Sequence, residues 1–184
     1  MNEPIRIPEL LAPAGNMDSL RAAVRFGADA VYGGMKRFGL RAFAGNFDEA
    51  ALREAVEICH RAGVRFYVTM NIFPYDDELD AFCEAGRAAL EAGVDAAIVS
   101  DLGAVCALRE RVPELPIHVS TQASTVNLSA VRHWRALGCQ RVILAREMSL
   151  ERIGRLCAGL PEGMEIETFV HGASCMAWSG RCML

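Results

Sequence analysis

The sequence predicts an α/β fold, an incomplete (β/α)8 TIM-type barrel with about seven parallel strands and the eighth missing. Three observations predict it: a strand–helix unit that repeats along the chain, a glycine closing each repeated helix, and polar residues where the apolar strands stop. The repeat is legible at residues 26–32, 62–68, 92–99 and 137–144, around Gly27, Gly63, Gly93 and Gly138. In each, a helix ends, glycine takes the left-handed conformation that other side chains resist, and an apolar strand follows.

The elements follow in order. Strands are expected at about residues 6–12, 29–33, 65–71, 96–101, 117–122, 141–146 and 165–171. Between them, Leu52, Ala55, Val56 and Cys59 fall at i, i+3, i+4 and i+7 with Asp48 as N-cap, and Leu79, Phe82, Cys83 and Gly86 repeat the pattern before Gly93. Ser149 caps a further helix with Ile153 and Leu156 inward, and Pro161 closes it. Strands alternating with helices across short connections build a parallel sheet. A doubly wound sheet would carry Gly-x-Gly-x-x-Gly after its first strand, and neither Ala12-Pro13-Ala14-Gly15 nor Tyr32-Gly33-Gly34 supplies it. A barrel needs no such loop and gathers its chemistry at the C-terminal strand ends.

Those ends carry the candidate site. Asp101 and His171 are the candidate catalytic groups, because each can move a proton. Asn71, Gln122, Arg146 and Glu147 are the candidate substrate-binding groups, with Arg146 offering a fork to a carboxylate or phosphate. His60 and His133 belong to helix patterns and His118 to a strand, and none is assigned a role.

At 184 residues the chain is shorter than the roughly 250 of an eight-unit barrel. It is therefore expected to be one domain, 1–184, forming the N-terminal barrel portion of a longer protein. Residues 172–184 are expected to begin a cysteine-bearing segment. Unpaired edges on the first and seventh strands invite another chain, so a homodimer or an exchange of elements is expected.

A net charge of −4, with Lys36 the only lysine, leaves no general nucleic-acid footprint. Arg37, Arg41, Arg132, Arg135, Arg141 and Arg146 are candidate phosphate contacts, most of them expected as solvated helix-face or strand-edge charges. No apolar window reaches the length of a membrane helix and no secretion signal opens the chain, so a soluble, cytoplasmic protein without a membrane partner is expected. Cys59, Cys83, Cys106, Cys139 and Cys157 are scattered singly, as core or groove-filling thiols rather than a disulfide framework.

Cys175 and Cys182 differ. They flank Ser179-Gly180 on a loop just past a strand end, where two thiols are able to converge on one metal. Zinc and iron–sulfur sites usually take four such ligands, so the pair is half a site. Neither His-Glu-x-x-His nor Gly-x-Ser-x-Gly occurs, and Cys175 near His171 is the thiol–imidazole pair that lies just past a strand end.

The same stretch carries a resemblance. Glu167, Phe169, Gly172, Ala173, Cys175, Gly180 and Cys182 are similar to the signature of the collagenase-like peptidase family, unknown-type peptidase family thirty-two, with Trp178 where relatives have tyrosine. The likeness continues through Pro8–Gly15, Gly27–Tyr32, Leu40–Ala42 with Asn46 and Phe47, Thr69–Asn71, Ser100–Gly103, His118–Ala123 with Asn127, and Leu144–Ser149, in order and spacing. It implies a barrel in the N-terminal half. It also implies either a peptidase or an enzyme hydroxylating RNA or a ubiquinone precursor, with four cysteines holding a [4Fe–4S] cluster and prephenate as co-substrate of the RNA reactions. Cys175 and Cys182 match the first two ligands. The chain most resembles the transfer RNA hydroxylation branch, with RNA as partner of the full-length protein. With two thiols alone, the present chain is expected to hold no cluster and to be inactive. A peptidase and a non-catalytic binding platform are the alternatives.

Overall fold

The computed structural model describes residues 7–39, 46–172 and 176–180. Seven strands form one parallel sheet in sequence order: β1 Leu11–Pro13, β2 Ala30–Gly34, β3 Arg65–Met70, β4 Ala96–Val99, β5 Ile117–Val119, β6 Arg141–Ile143 and β7 Glu165–Glu167. Six helices alternate with them: α1 Met17–Arg25, α2 Glu49–Arg61, α3 Leu79–Glu91, α4 Leu102–Arg111, α5 Leu128–Ala136 and α6 Leu150–Cys157. The sheet curls into an open barrel. Among the described residues, β1 pairs only with β2 and β7 only with β6.

The repeating glycines do what their spacing predicts. Gly27, Gly63, Gly93 and Gly138 have φ of 87°, 72°, 86° and 83°, a region that a Cβ strongly disfavours. Asp48 accepts from the Ala51 amide at 3.0 Å and Ser149 from that of Arg152 at 3.3 Å, so both predicted N-caps form. The expected stripe of α2 is buried at Leu52, Ala55, Val56 and Cys59.

Alternation along each strand divides the interior in two. Phe66, Val68 and Met70 of β3, with Ala97 and Val99 of β4, face the helices and join the large core. Tyr67, Ala96, Ile98 and Ile143 face the barrel axis with Ala30 and form a second, smaller cluster. Between β2 and the 46–47 segment the backbone approaches closely: a Cβ on Gly33 would lie 2.5 Å from the Phe47 ring and 2.9 Å from the Ala14 carbonyl oxygen.

Several strands are shorter than the sequence pattern implies. Residues 121–123 leave β5 as a 3-10 turn, with the Ser120 side chain accepting from the Gln122 amide. Residues 168–171 fall outside β7. The apolar run alone does not mark where polar side chains divert the backbone from the sheet.

Candidate functional site

The C-terminal strand ends converge on Gln122. Its Oε1 accepts from Asn71 Nδ2 at 2.8 Å, from Ser100 Oγ at 2.9 Å and from Ser120 Oγ at 3.1 Å. These groups come from the ends of β3, β4 and β5. The 3-10 turn after β5 brings the Gln122 side chain back over the mouth, and Thr121 Oγ1 ties that turn to the Leu144 carbonyl at 3.0 Å. Ser100 and Ser120 are each only 4% exposed. Neither serine is among the candidates the sequence offers, yet both donate to the same Gln122 oxygen as Asn71.

The remaining candidates divide. Asp101 caps α4, accepting from the Ala104 amide at 2.8 Å, so its carboxylate has a structural task at the rim. Arg146 lies over the Phe169 ring, 5.4 Å from its centroid. Glu147 accepts from the Ser179 amide at 2.5 Å and the Ser179 hydroxyl at 2.7 Å. Desolvation pushes the Glu147 carboxyl up, but these two bonds, with its own backbone amide and the Arg146 charge, outweigh it and hold the group below its ordinary value. His171 is exposed. Asn71 and Gln122 are thus brought together, Arg146 and Glu147 reach the segment after β7, and among the described residues Asp101 bonds to its own helix rather than to Gln122.

Cys175 and Cys182 lie outside the described residues. Among those described, no group of three or more His, Cys, Asp or Glu is placed to hold a metal. Burial raises the Cys59 thiol to about 11, with Asp95 adding to it, and raises Cys139 to about 11 against the opposing Arg109. Both stay protonated and unreactive at neutral pH. Cys106 and Cys157 correct the expectation of core thiols, because both are exposed. The described residues alone supply no ligand set for a cluster.

The sequence reading missed a second polar assembly, inside the barrel at the N-terminal strand ends. Arg141, expected as a strand-edge charge, is only 6% exposed. It pairs with Glu9 at 2.7 Å, Glu165 at 2.6 Å and Glu167 at 3.4 Å. Arg65 also pairs with Glu9, and the Tyr67 hydroxyl donates to Glu9 at 2.9 Å. Glu165 and Glu167 flank Ile166 at period two, as do Arg65 and Tyr67 around Phe66. That alternation of polar side chains is the signal that locates a polar barrel interior.

His118 lies in this assembly, 4% exposed and edge-to-face with Tyr67 at 4.7 Å. Its Nδ1 has no hydrogen-bond partner among the described residues. Burial first, then Arg141 and Arg65, hold its pKa at about 3. A histidine that stays neutral when folded and protonates near 6.5 when unfolded contributes stability above pH 6.5 that is lost as pH falls toward 3. Urea unfolding is expected to show about 2 kcal/mol lost between pH 7 and 5 from this group. His118→Gln is expected to flatten that slope, and an unchanged slope would refute the assignment.

Residues 15–184 match the family model described as peptidase family U32. Over 177 residues the chain is 46% identical to tRNA hydroxylation protein P of Escherichia coli (strain K12), covering 96% of this chain and 39% of that protein. It is 36% identical over 186 residues to a collagenase of Porphyromonas gingivalis (strain ATCC BAA-308 / W83), covering 96% of this chain and 44% of that protein. The chain thus spans less than half the length of these relatives. The solved structure of the U32 peptidase Mk0906 superposes with a TM-score of 0.69 at 15% identity, over 91% of this chain and 70% of that one, and supports the fold. No helix among the described residues is long and apolar enough to cross a membrane. The match over residues 15–184 and the seven-stranded parallel barrel agree: the chain belongs to peptidase family U32.

Proposed function

We propose that this chain is the barrel portion of a tRNA-hydroxylating protein, whose C-terminal mouth receives the RNA group to be oxidised. Cys175 and Cys182 are proposed as two of four cysteines holding a [4Fe–4S] cluster beside that mouth, the other two being supplied elsewhere in the whole protein. The observation that carries the reading is the seating of Ser179, which lies between the two cysteines, on Glu147 in the turn after β6. Ser179 thus stands near the turn that carries Gln122, which supports a cluster beside the mouth. The 46% identity to a protein named for tRNA hydroxylation supports RNA as the substrate class. Asn71, Gln122 and Arg146 are assigned to substrate binding, Asp101 and His171 to proton movement, and prephenate is the proposed co-substrate. The chain alone is proposed to be inactive, with the outer edges of β1 and β7 covered by a second copy.

The test uses the whole protein. Anaerobic reconstitution should give iron and visible absorption that Cys175→Ser and Cys182→Ser reduce, and tRNA from cells lacking the gene should regain the hydroxylated base by mass spectrometry. Absence of absorption removes the cluster, and absence of the modified base removes the RNA reaction. Likeness to a collagenase motivates a peptidase as second reading. Peptide cleavage by cluster-free protein, abolished by alkylating Cys175, would put that reading first.

A further inference from the structure

We propose that Glu147 is a positioning residue that locks the cysteine-bearing segment to the barrel rim by gripping Ser179 through both backbone and side chain. Its importance for catalysis rests on the function proposed above, but the grip itself does not. Ser179 is fully buried, whereas its described neighbours Met176 and Trp178 are 103% and 56% exposed. Apolar burial of those side chains therefore does not hold the segment in place. The backbone of Ser179 is left-handed, with φ 48° and ψ 32°, a conformation that a non-glycine residue keeps only when its surroundings impose it.

The Glu147 carboxylate meets that need. One oxygen takes the Ser179 amide at 2.5 Å and the other takes its hydroxyl at 2.7 Å, an arrangement of charge-assisted bonds that fixes orientation as well as distance. The turn Trp178–Gly180 also packs beside the 3-10 turn Thr121–Ala123, which carries Gln122. The preceding residue, Arg146, lies over Phe169 at 5.4 Å and steadies the chain as it leaves β7. Two consecutive residues in the turn after β6 thus hold the segment both before Cys175 and between the two cysteines. Ser179 follows Cys175 by four residues and precedes Cys182 by three, so fixing it constrains both thiols through the chain.

The experiment compares the wild-type chain with Glu147→Ala. Amide exchange at Ser179 is followed by NMR, and alkylation of each cysteine by mass spectrometry under reducing conditions. In the variant, Ser179 exchange is expected to accelerate by about tenfold or more. Alkylation at Cys175 and Cys182 is expected to change by about threefold or more, as access follows the loop. The buried thiols Cys59, Cys83 and Cys139 should react at unchanged rates. Unaltered Ser179 exchange overturns the proposal. Equal acceleration at the buried thiols overturns it too, because Glu147 would then support the barrel rather than the loop. Neither readout involves iron or RNA, so failure of the hydroxylation reading is distinguishable from failure of the grip.

Discussion

Replacing Arg141 with alanine is expected to destabilise the chain by about 3 kcal/mol, the lower end of the cost of breaking a buried ion pair. The guanidinium meets three carboxylates at once and lies over the Tyr67 ring at 5.3 Å. Burial disfavours its charge, but the bonds to Glu9 and Glu165 outweigh this and raise its pKa. Without it, Glu9 and Glu167, with side chains 14% and 19% exposed, stay in the barrel with too little opposing charge. Arg65 still reaches Glu9, and Glu165 at 60% exposure is able to turn to water, which keeps the loss from being larger.

The loss should also depend on pH. Burial raises the Glu167 carboxyl above its ordinary range, Arg141 opposes this, and Glu9 and Glu165 add to it. A carboxyl with a raised folded pKa contributes stability at low pH that is lost as pH rises through that pKa. Removing Arg141 raises it further, so the gap between wild type and variant should narrow as pH falls toward the carboxylate range. Urea midpoints at two pH values check this, and a loss below about 1 kcal/mol at neutral pH would show the assembly to be dispensable.

Most of the barrel was legible because its signals are local. A left-handed glycine after a helix needs only its own backbone, and Gly27, Gly63, Gly93 and Gly138 each announced a turn that formed. N-caps are equally local, and Asp48 and Ser149 cap as expected. The interior at the N-terminal strand ends was not legible from single residues. Arg141 is 132 residues from Glu9, and only curling of the sheet brings them together. Isolated in the sequence, a charge at a strand start looks like a solvated edge.

The site was half legible for the same reason. Strand ends predicted which residues stand at the mouth, and Asn71 and Gln122 meet there. Position on a rim does not say which partner each side chain finds. Asp101 turned to its own helix and Glu147 to Ser179, a residue 32 positions away.

At the mouth, the largest effect is expected from Gln122→Leu. Three donors converge on one oxygen, and two of them are serine hydroxyls almost sealed from water. Leucine fills similar space but accepts nothing, so the donors lose their shared acceptor at a combined cost of roughly 2–3 kcal/mol. Gln122→Glu keeps the accepting oxygens in the same place, and its stability should stay within about 1 kcal/mol of wild type. The two substitutions separate bracing from recognition. If Gln122 binds the RNA group, Gln122→Glu in the whole protein should lose about a hundredfold in hydroxylation, as expected when a fixed hydrogen-bond donor beside a reacting group is removed. A folded Gln122→Glu protein with wild-type hydroxylation would make Gln122 the keystone of the mouth and leave recognition to Asn71 and Arg146.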